Sequence, residues 1–197
     1  VAEETRRERP GGRTARTRRA VIDATTALLH EGSPAELTVG QIAARAGVNE
    51  ATVYRKWGSK DALLRDVLLT LSSERLTAAD TGSLRGDLVE TIGAVADFLR
   101  TRAGHALASL AATADDETAA TLRDAFWADR FARARTIFDR AAARGELVDI
   151  DRAMLAYEAL IGTLHFRILA RRRELDADIA ERLTDLVLDG LRPPDRT

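Results

Sequence analysis

The residues best equipped for chemistry in this 197-residue chain are cationic, and they crowd one end. Residues 1–60 hold 11 Lys and Arg against 7 Asp and Glu, whereas residues 61–197 hold 19 against 24, although the formal net charge is only −1. A basic amino-terminal third on an acidic remainder suggests two modules, the first facing a polyanion. A solvated arginine-rich tail is the plain alternative. Catalytic chemistry is thin by comparison. Cysteine is absent, which removes a thiol nucleophile, a thiolate metal site and a disulfide scaffold. His30, His105 and His165 lie far apart and off metal-ligand spacing, so no metal and no cofactor is expected. The acidic run Asp115-Asp116-Glu117, ten residues after His105, is the one cluster an enzyme could use. Acids just ahead of a helix are, however, expected as partners of its dipole. No nucleophile–base pair and no Gly-rich phosphate loop accompany them, so no catalytic residue is assigned and an enzyme is not expected.

The elements that must position the cations are helical. Apolar residues make up 45% and charged residues 31%, the balance of a globular chain with a core. No uninterrupted run approaches the roughly 18 apolar residues of a membrane span, and the first residues, VAEETRRERP, are polar. A cytoplasmic protein without a membrane partner is the expectation. Proline occurs only at positions 10, 34, 193 and 194, β-branched alternation is nearly absent, and Ala, Leu, Arg and Glu abound. That pattern predicts an all-α fold of about nine helices, near 14–31, 38–46, 49–56, 60–78, 84–102, 105–114, 117–144, 151–173 and 177–191. Residues 1–13 read as a disordered basic arm, 14–60 as a three-helix domain, and 61–197 as a larger helical domain.

Local signals around residue 40 are explicit. Thr38 and Gln41 have the spacing of a capping box, and Leu37 and Ile42 that of a hydrophobic staple. Gly47 supplies the left-handed residue of a tight turn. Asn49 then caps a second short helix, with Val48 stapled to Val53. Two short helices fastened by Ile42, Ala43, Val48 and Val53 make a helix-turn-helix. Its second helix carries Asn49, Glu50, Ala51, Thr52, Tyr54, Arg55 and Lys56. Small residues near its start allow approach to a major groove, and the hydroxyls, Arg and Lys suit phosphates or base edges of double-stranded DNA. Lys60 opens the following helix, where a cation opposes the macrodipole. A phosphate opposite it would account for that placement, while Asp61 offers a partial offset.

The run LTVGQIAARAGVNEATVYRKWGSKDALL, Leu37 to Leu64, resembles the signature of the TetR family of transcriptional regulators. Its telling elements are T-V-x-x-I-A, A-G-V, T-V-Y-x-x-W and S-K-x-x-L, with Trp57 where many members have phenylalanine, read as a core anchor. The resemblance implies that Thr38, Thr52, Tyr54, Lys56 and Lys60 hold the phosphate backbone. It implies base readout by Arg45, Asn49, Glu50, Ala51 and Arg55. Arg13, Arg16, Arg18 and Arg19 resemble a basic arm laid along DNA, or equally a solvated tail. Ile161 to Leu191 looks like the closing helix pair of a common TetR ligand-domain subgroup. The family implies a transcriptional repressor, released from its operator by a small-molecule inducer. A regulator controlled by a protein partner, without a small ligand, is the alternative.

In the second domain, the helix from Met154 to Ala170 is apolar on two sides. One stripe is Tyr157, Leu160, Ile161, Leu164 and Ile168, and the other is Leu155, Ala159, Gly162, Phe166 and Leu169. Two apolar faces need cover on two sides. The reading is a homodimer through helices 151–173 and 177–191, with Gly162 at the crossing, against a monomeric core helix. A dimer implies a palindromic operator. Stripes such as Leu84-Leu88-Ile92-Val95-Leu99 and Trp127-Phe131-Ala134-Phe138 read first as core. The family resemblance implies an inducer cavity among these helices. Phe98, Leu110, Trp127, Phe131, Tyr157 and His165 are the candidates for its wall and an apolar small molecule its effector, with Thr163 and His165 as polar breaks. The helix from Lys60 to Ala78 joins the domains and is the expected lever between them.

Overall fold

The computed structural model describes residues 12–32, 35–75, 78–113 and 117–191. The arm expected up to residue 13, apart from Gly12 and the Arg13 backbone, lies outside the described residues, as do Asp115 and Asp116. Among the described residues all regular structure is helical. In chain order the helices are α1 (Arg13–Glu31), α2 (Val39–Ala46), α3 (Glu50–Trp57), α4 (Lys60–Arg75), α5 (Leu84–Arg100), α6 (Arg102–Thr113), α7 (Glu117–Ala143), α8 (Ile150–His165) and α9 (Ile179–Leu191). The chain divides into two compact units, with the division at Val67 and Leu68, inside α4.

The first unit is built on Val21, Ile22, Leu29, Ile42, Val53, Leu63, Leu64 and Val67, all nearly inaccessible to solvent. Its short helices are held at their ends. The Thr38 hydroxyl accepts the Gln41 N–H at 3.2 Å, and the Gln41 side-chain carbonyl accepts the Thr38 N–H at 2.9 Å, which closes the capping box. Gly47, at φ 66°, lets the chain reverse, and the Val48 N–H returns to the Ala43 carbonyl at 3.0 Å. The Asn49 side-chain carbonyl accepts the Ala51 N–H at 2.8 Å, so α3 starts two residues after that turn.

In the second unit, α5 packs against α6 and α9, and α8 against α7 and α9. Leu84, Leu88, Ile92, Val95 and Leu99 of α5 are all buried, as their spacing predicts. Among them sits the fully buried carboxylate of Asp87. Its Oδ1 accepts the N–H (2.5 Å) and the hydroxyl (2.8 Å) of Thr81, and Arg144 and Arg140 approach Oδ2 at 3.4 and 3.9 Å. Arg144 also pairs with Glu146, whose other oxygen accepts the Leu84 N–H at 2.6 Å. The end of α7 and the start of α5 are thus joined through charge.

Three boundaries differ from the sequence expectation. Helix α6 starts at Arg102, directly after Thr101, whose hydroxyl accepts the Gly104 N–H at 2.9 Å. Helix α4 is described as far as Arg75, and Ala78, expected as its last residue, is not helical. The helix expected to reach residue 173 ends as α-helix at His165 and continues as a π-helical turn, Phe166–Ala170, before the charged run Arg171 to Glu174. Allowing interruptions by Asp151, Arg152, Glu158 and Arg167, the 21 residues Ile150–Ala170 do reach the length and mean hydropathy of a membrane span. Their stripe Tyr157, Leu160, Ile161, Leu164 and Ile168 is nevertheless buried within the unit, in keeping with a core helix.

Removing the Asp87 carboxylate leaves Arg140 and Arg144 without their shared buried partner. Asp87→Ala is expected to destabilise the second unit by roughly 3 kcal/mol in urea unfolding, and Asp87→Asn, which keeps an acceptor for Thr81, by less.

Candidate nucleic-acid interface and ligand-domain core

One carboxylate organises the surroundings of α3. Asp66 of α4 accepts hydrogen bonds from Nη2 and Nε of Arg18 in α1, at 2.6 and 3.1 Å, and from the indole N–H of Trp57, the last residue of α3, at 2.8 Å. Trp57 is half-buried, and the Lys56 ammonium sits 5.5 Å from its ring centroid. Lys60 donates from Nζ to the Leu37 carbonyl at 3.0 Å. These contacts revise two expectations. Arg18 is a structural clamp inside α1, and Arg19 bonds Asp23 one turn on, so neither belongs to a free arm. Lys60 finds a carbonyl within its own domain, so its place at the head of α4 needs no phosphate to explain it.

The only buried side chain of α3 is Val53; Glu50, Ala51, Tyr54, Arg55 and Lys56 are exposed, Tyr54 at 50% despite its size, and Thr52 is half-buried. Tyr54, Arg55 and Lys56, about 100° apart around the helix, therefore fan a hydroxyl, a guanidinium and an ammonium over the side away from Val53. The other candidates are engaged within the chain. The Asn49 oxygen caps α3. The Glu50 carboxylate lies over Gly40, 2.8 Å from where a Cβ would stand, so a side chain at 40 would displace it. Arg45 pairs with Glu31 at 2.6 Å, and this hydrogen bond holds the Glu31 carboxyl below its usual range. The Thr38 hydroxyl, exposed at the start of α2, is taken up by the capping box.

In the second unit, four of the six pocket candidates meet. Trp127 lies 6.0 Å from Phe131 and 5.6 Å, edge-on, from His165, and Phe131 stands 6.2 Å from Tyr157, all between ring centroids. Phe98 is buried on α5, without a ring contact among the described residues, and the Leu110 side chain lies outside the described residues. Both polar breaks in α8 are satisfied by the helix itself. Thr163 donates to the Ala159 carbonyl at 2.8 Å, and His165 donates from Nδ1 to the Ile161 carbonyl at 2.9 Å. Burial pushes His165 below its usual value of 6.5 and lifts the Tyr157 phenol above its own, with Arg130 partly opposing the latter.

This architecture can be compared with known proteins. Residues 21–67 match the family described as bacterial regulatory proteins, tetR family, and residues 78–187, more than half of the chain, match the tetracyclin repressor-like C-terminal domain. The chain belongs to the TetR family of transcriptional regulators. The HTH-type transcriptional regulator AqdR of Rhodococcus erythropolis is 30% identical over 179 residues, 90% of this chain and 86% of AqdR. The crystal structure of the TetR family regulator SCO0332 superposes with a TM-score of 0.73 at 29% identity, covering 90% of this chain and 99% of that one. FadR of Bacillus subtilis, solved in complex with stearoyl-CoA, shares the fold at 18% identity and a TM-score of 0.65, over 88% of this chain and 99% of FadR.

Two residues important to this TetR-family chain escaped the sequence reading. Asp66 gave no local signal, because its partner Arg18 is 48 residues away. Arg130 did give one. It falls on the α7 stripe of Ala134, Ile137 and Ala141, three residues after Trp127, and an arginine on an apolar stripe is an anomaly.

His165 sets a pH window for the second unit. Above about 6.5 it is neutral folded or unfolded and costs nothing. As pH falls below 6.5 the unfolded chain takes up a proton that the native state resists, so stability declines until the lowered native value is reached. Thermal unfolding of the second unit is expected to shift down between pH 7.5 and 5.5, by a smaller amount in His165→Gln.

Proposed function

We propose that this TetR-family regulator binds a palindromic operator as a homodimer, acts as a repressor, and is released by a small, largely apolar effector. As a bacterial-type DNA regulator without a catalytic role, it would act in the cytoplasm. The observation that carries the DNA reading is the orientation of α3, with Val53 inward and Tyr54, Arg55 and Lys56 outward. An eight-residue helix of this kind fits the major groove, its cations reaching phosphates and its guanidinium a guanine edge.

Dimerisation is supported by what a single chain leaves uncovered. Leu155 and Phe166, both on the second stripe of α8 and its π-helical turn, are 67% and 58% exposed, and Leu186 of α9 is 70% exposed. Ala159 and Gly162 between them are exposed too, and a Cβ at Gly162 would meet nothing within 4 Å. An apolar face of this kind on two adjacent helices calls for a partner, and a second copy gives the four-helix bundle that fits a twofold operator. Half-sites would then lie about 34–36 Å apart. The effector reading is supported by the aromatic cluster of Trp127, Phe131, Tyr157 and His165. Linkage requires the effector to prefer a conformation that misplaces the two α3 helices, and α4, which belongs to both units, is the element through which this would run.

Duplexes selected from a random pool at fixed salt test the proposal. A palindrome is expected. Lys56→Ala and Tyr54→Ala should weaken all duplexes alike, with Lys56→Ala lowering the salt slope by about one, whereas Arg55→Ala should cost about 1–3 kcal/mol at one base position and relax preference there. Leu186→Glu should convert a dimer to a monomer in analytical ultracentrifugation. A monomeric wild type that ignores every duplex at low salt would overturn the reading.

A further inference from the structure

Arg130 is only 6% exposed and lies midway along α7, with Ala134, Ile137 and Ala141 on the same buried stripe. Removing a guanidinium from water costs several kcal/mol unless an anion and hydrogen bonds compensate. Elsewhere in this unit buried charge is paired with charge: Asp87 has Thr81 and two arginines, and Arg140, although its Nε also lacks a hydrogen bond, lies 3.6 Å from Asp80 and 3.9 Å from Asp87. For Arg130 it is not. Among the described residues no carboxylate pairs with it, and its Nη1 is buried without a hydrogen-bond partner. The neighbours described for it are aromatic and uncharged. The Phe126 ring lies 6.0 Å from the guanidinium carbon, the neutral Tyr157 hydroxyl accepts a hydrogen bond from the guanidinium, and His165 feels its charge while donating Nδ1–H to its own helix. Phe126, Trp127, Phe131 and His165 are half-buried, so apolar ring surface near this cation stays partly open to solvent.

A planar fork of donors beside aromatic rings is built for a carboxylate with an apolar body. We propose that Arg130 anchors the acidic head of the effector, which is therefore an organic carboxylate whose apolar part lies along Trp127, Phe131 and the His165 ring. This inference rests on the effector reading above and specifies its ligand class. It also accounts for a buried cation that would otherwise only destabilise the fold.

The test uses matched probes, 2-naphthoate against 2-naphthamide and octanoate against octanamide. Binding is measured by calorimetry, and release of the selected operator by fluorescence anisotropy, on wild type, Arg130→Met and Arg130→Lys. For wild type, at least one acid is expected to bind about tenfold or more tightly than its amide and to release operator. Arg130→Met should bind acid and amide alike, and Arg130→Lys should keep part of the preference. Without ligand, Arg130→Met should unfold at the same or a higher temperature than wild type, because an uncompensated buried charge has been replaced by an apolar side chain of similar length. A purely structural arginine would instead give a lower unfolding temperature and unchanged acid preference, which overturns the proposal. Equal binding of acids and amides to wild type also overturns it. If amides bind and release operator as well as acids in all three proteins, the effector reading stands and only the role of Arg130 falls. If none of the four probes binds or releases operator, the carboxylate assignment falls.

Discussion

The first unit turns on a single carboxylate. Asp66 takes two hydrogen bonds from Arg18 and one from Trp57, so α1, the end of α3 and α4 converge on one side chain. The reason this matters is the poverty of α3 itself. Eight residues are too few to form a stable helix alone in water, and only Val53 anchors this one by burial. What fixes it is therefore its two ends: the Gly47 turn and Asn49 cap at the start, and the Trp57–Asp66 bond at the finish. Held that way, its middle needs no side chain other than Val53 for packing.

The second unit distinguishes two kinds of buried charge. Asp87 is surrounded by donors from the loop before α5 and from the end of α7, and its charge serves to join those segments. Arg130 has an aromatic setting, a buried nitrogen without a hydrogen bond and, among the described residues, no carboxylate paired with it. A fold tolerates the second arrangement poorly unless something from outside completes it, which makes the contrast between them a guide to function as well as to stability. The two faces of α8 show the same logic for apolar groups. Tyr157, Leu160, Ile161 and Leu164 are covered by the chain's own helices, while Leu155 and Phe166 stay exposed in the single chain.

Much of this was legible in the sequence wherever the physics is local. The capping box of Thr38 and Gln41, the reversal at Gly47, the buried stripe of α5 and the two apolar faces of α8 each follow from neighbours a few residues apart. The Thr101 cap was equally local but was hidden by a helical pattern that runs on past Arg100. Long-range partners were not legible. The Lys60 ammonium looked ill-placed against the dipole of α4 because the Leu37 carbonyl that receives it is 23 residues distant. The pairing of Arg45 with Glu31 and the seat of the Glu50 carboxylate over Gly40 likewise cannot be seen from spacing. The π-helical turn after His165 has no signal in the spacing of its residues, and the charged run Arg171 to Glu174 marks only where the helical stretch ends.

The account depends most on α3 being presented to DNA by the Asp66 clasp. The direct measurement is the affinity of Asp66→Ala for a selected palindromic duplex, with helical content and the unfolding of the second unit followed in parallel. Loss of hydrogen bonds to a charged group predicts binding weaker by about tenfold or more, with helicity and the second unit's transition little changed. A variant that binds the duplex as tightly as wild type would contradict it, since α3 would then owe its position to something other than this carboxylate.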